Sequence, residues 1–164
     1  MDANHQLSFL QQRIEEIGSA IFYNLSESVL KLPTSIVSTV KVDEFGFVWL
    51  TVPKPIQNLS EFEKEFPVKL DYYRKGTGYF LQVTGQGFMV TDPEEMNNLT
   101  DLPEEIMHSV NDSLTLVKVK IQKADYYQTR TMEHASWWQS AWHTITAWFR
   151  QNTYRHGNTY YPAS

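Results

Sequence analysis

The sequence predicts an α+β chain built mainly of β-strand, an antiparallel barrel with helices at its periphery. Three observations carry this. Five segments of strand composition alternate with turn signals, and segments of helical period stand at both ends of the chain. Aromatic residues reach 14%, which suits a sheet-rich core or a flat ligand or interface to cover. With 164 residues, 41% hydrophobic and 20% charged, the chain has the size and composition of one packed domain. Residues 1–131 are expected to hold the barrel and its N-terminal helix. Residues 132–164 are expected to form an aromatic helix and tail packed on the barrel or on a partner subunit.

Each element has its own signal. Leu7, Leu10, Ile14, Ile17, Ile21, Leu25 and Val29 recur every three or four residues, so one amphipathic helix is expected up to Leu32-Pro33, with Gly18 as a candidate break. Ser35–Val42 and Phe47–Val52 then read as a hairpin around Asp43-Glu44-Phe45-Gly46, stopped by Pro53-Lys54-Pro55. Ser60-x-x-Glu63 has the form of a capping box and predicts a short helix from about Glu61 to Glu65. Val68–Arg74 and Tyr79–Thr91 read as strands joined by Lys75-Gly76-Thr77-Gly78. Gly85 and Gly87, two apart in the second of them, signal a bulge or a close backbone approach. Asp92-Pro93-Glu94-Glu95 and Leu102-Pro103-Glu104-Glu105 open short helices. Leu114–Lys123 is the last long strand, and Met132–Phe149 carries Ala135, Trp138, Trp142, Ile145 and Phe149 at helical spacing.

Composition excludes several classes of function. A net charge of -5 opposes binding dominated by nucleic-acid phosphates. The absence of cysteine removes disulfides, thiolate metal sites and cysteine nucleophiles. The first residues lack a signal-peptide pattern and no stretch approaches ~18 apolar residues, so a cytoplasmic protein without membrane contact is expected. The five histidines are scattered, with no i, i+4 pair for a metal, and no nucleophile elbow, P-loop or dinucleotide fingerprint occurs. Trp137, Trp138, Trp142 and Trp148 sit in a segment without lysine or arginine, which favours packing over lipid and, with the aromatic excess, a homodimer.

Basic residues are the candidate ligand contacts. None occurs from Gly76 through Val117; Lys118, Lys120 and Lys123 then follow, and Lys118 and Lys120 share one strand face that is either an anion patch or simply solvated. Lys54, between Pro53 and Pro55, is presented on a stiff backbone that has little entropy left to lose.

The order of these pieces resembles the pyridoxamine 5′-phosphate oxidase-like FMN-binding split β-barrel family, especially its general-stress-protein branch. The residues that carry the likeness are the N-terminal helix, Ser35-Ile36-Val37-Ser38-Thr39-Val40, an acidic-glycine turn, Val48-Trp49-Leu50-Thr51, Phe66-Pro67-Val68-Lys69-Leu70-Asp71-Tyr72, Val83-Thr84-Gly85-Gln86-Gly87 and Asp92-Pro93-Glu94-Glu95. Together they span about residues 7 to 130. The resemblance implies a six-stranded split barrel, a homodimer, and FMN in a groove at the subunit interface. It places Trp49 and Thr51 on the strand lining the flavin and Lys54 in the following loop, near the phosphate. Lys118 and Lys120 are further candidates for cofactor contact.

The sequence departs from the family pattern in three respects: no basic residue stands near Leu59, where the family's phosphate lysine tends to fall, Tyr126 and Tyr127 stand where relatives often place tryptophan, and the chain is one strand short. Gly46 to Ser60 has room for about one strand where relatives fit two, so one strand is expected to be deleted or merged. Two functions follow from the resemblance. One is a flavoprotein, with FMN-dependent oxidoreductase chemistry carried by the cofactor and no catalytic side chain required. The other is a flavin-free dimeric barrel serving as a binding or interaction protein.

Overall fold

The computed structural model describes residues 3–27, 32–56, 65–97, 99, 102–128 and 143–144. Helix α1 (Ala3–Ile17) buries Leu10, Ile14 and Ile17, one stripe of the 3.6-residue period. It stops at Gly18, whose φ of 76° suits the residue that follows a helix, and whose N–H donates to the Ile14 carbonyl at 2.9 Å. The helical pattern that continued through Ile21 and Leu25 is therefore corrected, while Val29 lies outside the described residues. Strand β1 (Ser19–Asn24) begins at once, turning Ala20 and Phe22 into the core and leaving Ile21 40% exposed.

Strands β2 (Ser35–Val42) and β3 (Phe47–Pro53) form the expected hairpin. Strands β4 (Glu65–Tyr73), β5 (Tyr79–Val90) and β6 (Leu114–Gln128) follow, with helices α2 (Pro93–Asn97) and α3 (Glu104–Asp112) between the last two. The spatial order is β3-β2-β1-β4-β5-β6, every pair is antiparallel, and β3 pairs with β6 from Phe47–Lys120 to Pro53–Leu114. That last pairing closes a six-stranded barrel. The strand expected to be deleted is present as β1, concealed in the second half of the helical pattern. Gly46–Ser60 still supplies a single strand, β3, among the described residues.

The expected Glu61–Glu65 helix lies outside the described residues apart from Glu65, which opens β4. Of the expected Met132–Phe149 helix only His143 and Thr144 are described. They form a short strand, β7 (His143–Thr144), paired with Gln128 and Tyr127.

Two apolar layers result. Inside the barrel, Phe22, Val48, Leu50, Phe66, Leu70, Tyr72, Leu81 and Ile121 meet the buried stripe of α1. Outside it, Trp49, Val90, Leu99 and Leu116 form a second cluster joined by Val40, Met96, Leu102 and Val110, so α2 and α3 cover the outer face of β3 and β6. This explains why β3 is buried on both faces from Val48 to Val52.

Candidate functional site

Strand alternation sends Val48, Leu50 and Val52 inward and Phe47, Trp49 and Thr51 outward. Trp49 and Thr51 are thus on the expected strand and on one face of it. Both are almost closed off, at 7% and 6% exposure.

The Trp49 end of β3 is organised by Asp43. Its Oδ1 accepts the Phe45 and Phe47 N–H groups at 3.0 and 2.9 Å, and its Oδ2 accepts the Trp49 Nε1–H at 2.9 Å. Gly46, at φ 78°, lets the hairpin turn close beneath it. A bulge between Thr39 and Lys41 inserts Val40 into β2. Val40 joins the outer cluster, and Lys41, opposite Trp49, brings its ammonium to 6.0 Å from that indole.

Lys118 pairs with Trp49 across β6 and lies over the Phe47 and Trp49 rings at 5.4 and 5.7 Å. Its ammonium is held by the Glu95 carboxylate on α2. Lys120 lies 5.0 Å from the Phe47 ring and donates to the Phe45 carbonyl. Both lysines are engaged within the chain. A cleft of about 440 Å³ opens beside them, floored by Trp49 and Leu99, with Phe45 on its rim.

Lys54 stands at the opposite end of β3. At ~3.3 Å per residue it is about 16 Å of strand from Trp49 and about 23 Å from the Phe47–Lys120 pair. The five candidates therefore divide: Trp49, Lys118 and Lys120 gather at one end, Thr51 lies between under the helices, and Lys54 is apart. Lys54 is exposed, its backbone N–H is fixed to the Ser113 carbonyl at 2.9 Å, and among the described residues its ammonium has no ion pair.

Ser35, at the start of β2, has a buried Oγ with no hydrogen-bond partner among the described residues. Ser35 and Lys54 each lie three residues beyond the last β2–β3 pair, Ser38 and Thr51, on neighbouring strands. A buried hydroxyl left without a partner costs about 1–3 kcal/mol, so it marks a place where an acceptor or donor is wanted. The signal for Ser35 was absent from the sequence, because only the β1–β2–β3 arrangement brings it to this end. A lysine and an unsatisfied hydroxyl fit a phosphate group; the Trp49 end, with its lysines already engaged, fits one poorly.

No family model and no curated protein matches the chain. Solved structures do. A general stress family protein of Xanthomonas campestris pv. campestris aligns over 83% of this chain and 95% of its own, with TM-score 0.60 and 13% identity. A Clostridium acetobutylicum protein related to general stress protein 26, of the pyridoxinephosphate oxidase family, aligns over 78% and 91%, with TM-score 0.57 and 12% identity. A general stress FMN/FAD binding protein of Xanthomonas citri aligns over 80% and 93%, with TM-score 0.57 and 14% identity. Identities this low establish architecture, and the architecture agrees with the closed strand order found here: the chain has the split β-barrel fold of the general stress protein 26 and pyridoxinephosphate oxidase structures.

Proposed function

We propose that this chain binds FMN, working as a homodimer, with the cofactor phosphate held at the Lys54 end of β3. The observation that carries this reading is the exposed Lys54, whose ammonium has no ion pair among the described residues; the unsatisfied Ser35 hydroxyl, beyond the same end of the β2–β3 ladder, adds to it. Support comes from the fold shared with a structure described as FMN/FAD-binding and from the presence of all six barrel strands. Bound FMN would supply hydride-transfer chemistry, making the protein a flavin-dependent oxidoreductase. The chain's own residues bind and orient. Pro53 and Pro55 stiffen the loop around Lys54, and the Lys54 N–H to Ser113 bond ties that loop to the end of α3, so little conformational freedom is lost when the phosphate arrives. Trp49 and Thr51, buried under α2 and α3, hold β3 in place.

Titration with FMN, followed by flavin fluorescence, tests the reading. A charge-assisted contact contributes roughly 1.5–3 kcal/mol, so Lys54→Ala should weaken FMN binding about ten- to a hundredfold with the fold intact. Equal affinities would remove Lys54 from the site. Light scattering should return twice the chain mass; the monomer mass at micromolar concentration would remove the dimer. A flavin-free binding protein is the second reading, favoured by the internal engagement of Lys118 and Lys120. Absence of visible flavin absorbance together with no FMN binding by the wild type would establish it.

A further inference from the structure

The cleft beside Trp49 lies away from Lys54, and its chemistry differs from that of a phosphate site. At about 440 Å³ it falls in the size range of small-molecule sites. Its floor and rim are apolar or aromatic, from Trp49, Leu99 and the 67%-exposed Phe45. Its charged walls come from separate elements: Asp43 and Glu44 from the β2–β3 turn, Glu95 from α2, and Lys41 from the bulged end of β2. Three carboxylates and one lysine line it, and Lys118, over the Trp49 ring at 5.7 Å, adds a second ammonium beside Glu95.

Two of those groups are already accounted for in ways that indicate what the cleft attracts. Glu95 is neutralised by Lys118. Asp43 is held by three N–H donors, which fix its position, and among the described residues it has no ion pair. Lys41 places its ammonium 6.0 Å from the Trp49 ring, a cation resting against an aromatic face at the end of a flexible, half-buried stem. It occupies the position that an incoming cation would take.

We propose that this cleft binds a small organic cation bearing an aromatic or apolar group. The ring or alkyl part would lie between Trp49 and Phe45, and the cationic head would displace Lys41 from the indole and sit near Asp43 and Glu44. Trp49 also stands on the strand that the resemblance assigns to the flavin, but this assignment uses none of the residues at the Lys54 end, where the phosphate is proposed to sit.

Lys41 makes the proposal decidable by sign. If the cleft takes cations, the lysine competes with the ligand, and Lys41→Met should strengthen binding. If it takes anions, the lysine is the anchor, and the same change should weaken it. The experiment is calorimetric titration of the full chain at low salt with benzyltrimethylammonium, with phenylacetate and benzyl alcohol as the anionic and neutral comparisons. Saturable binding is expected for the ammonium compound alone. Glu44→Gln and Phe45→Ala, both at exposed positions that leave the fold intact, should each weaken it about three- to fivefold, and Lys41→Met should tighten it by about the same factor. Lys54→Ala should leave it unchanged, which separates this result from the fate of the FMN site. Phenylacetate binding as tightly as the ammonium compound, weaker binding by Lys41→Met, unaltered affinity in both rim variants, or no saturation at millimolar concentration would each overturn the proposal.

Discussion

A methyl group at Gly87 would fall 2.6 Å from Val68 Cγ2 and 2.9 Å from Phe66 Cε2, two side chains fully enclosed in the barrel. At Gly85 it would fall 2.0 Å from the Lys120 carbonyl oxygen, beside the β5–β6 bulge. Both positions face inward on β5, where Leu81 and Val83 precede them, so the strand gives up two side chains to let Phe66 and β6 approach. Spacing alone pointed to this pair, although it left a bulge and a close approach as alternatives; the structure contains both. Gly87→Ala should cost about 1–3 kcal/mol by overpacking. Gly85→Ala should cost more, because main chain yields less readily than a side chain. Urea midpoints at constant m-value will measure each.

Helix α1 is tied to the barrel through a compact polar contact. The Tyr79 hydroxyl lies 2.9 Å from both the Arg13 carbonyl and the Glu16 carboxylate, and the Arg13 guanidinium bridges to Glu16 at 3.0 Å while covering the Phe9 and Tyr79 rings. The Tyr79 hydrogen bond, followed by that of Arg13, holds the Glu16 carboxyl below its ordinary value. Its contribution is thus present above pH 4.5 and fades as pH falls through the lowered folded value. Tyr79→Phe should loosen the helix selectively, which hydrogen exchange would read as faster exchange across Ala3–Ile17 with unchanged protection in β5 and β6. Equal acceleration throughout would show that the tyrosine supports the barrel instead. The same region shows where sequence reading failed. Ile21 and Leu25 continue the helical spacing of Leu10, Ile14 and Ile17, but they are surface residues; the core positions Ala20 and Phe22 follow a period of two that the longer pattern hid. In an apolar-rich stretch both periods fit, and the positive φ of Gly18 decides between them.

For the molecule as a whole, burial pushes the Tyr72, Tyr79, Tyr126 and Tyr127 hydroxyls above their ordinary value of 10.0. Below about pH 10 these groups are protonated whether the chain is folded or not. Above it the unfolded chain ionises first, so stability should fall steadily with alkali. Thermal melts from pH 8 to 11 should show that decline, and Tyr72→Phe should shallow it after losing the 2.9 Å bond to Thr39. The β2–β3 hairpin and strands β4, β5 and β6 were legible because turn residues and alternation are local, whereas β1 and the spatial strand order were not. The division of the candidate lysines was not, since Lys118 meets Glu95 and Lys120 meets Phe45 only after β6 is laid against β3. That same seam has a kinetic meaning. Its partners are roughly 60–70 residues apart in sequence, the kind of distant pairing that slows barrel folding toward milliseconds or seconds. The β2–β3 hairpin can form on its own, yet the outer face of Trp49 stays wet until β6 arrives with the α2–α3 segment that precedes it. Loss of solvent-exposed indole fluorescence from Trp49, in a chain whose other tryptophans are replaced by phenylalanine, would therefore time the closure of the barrel itself.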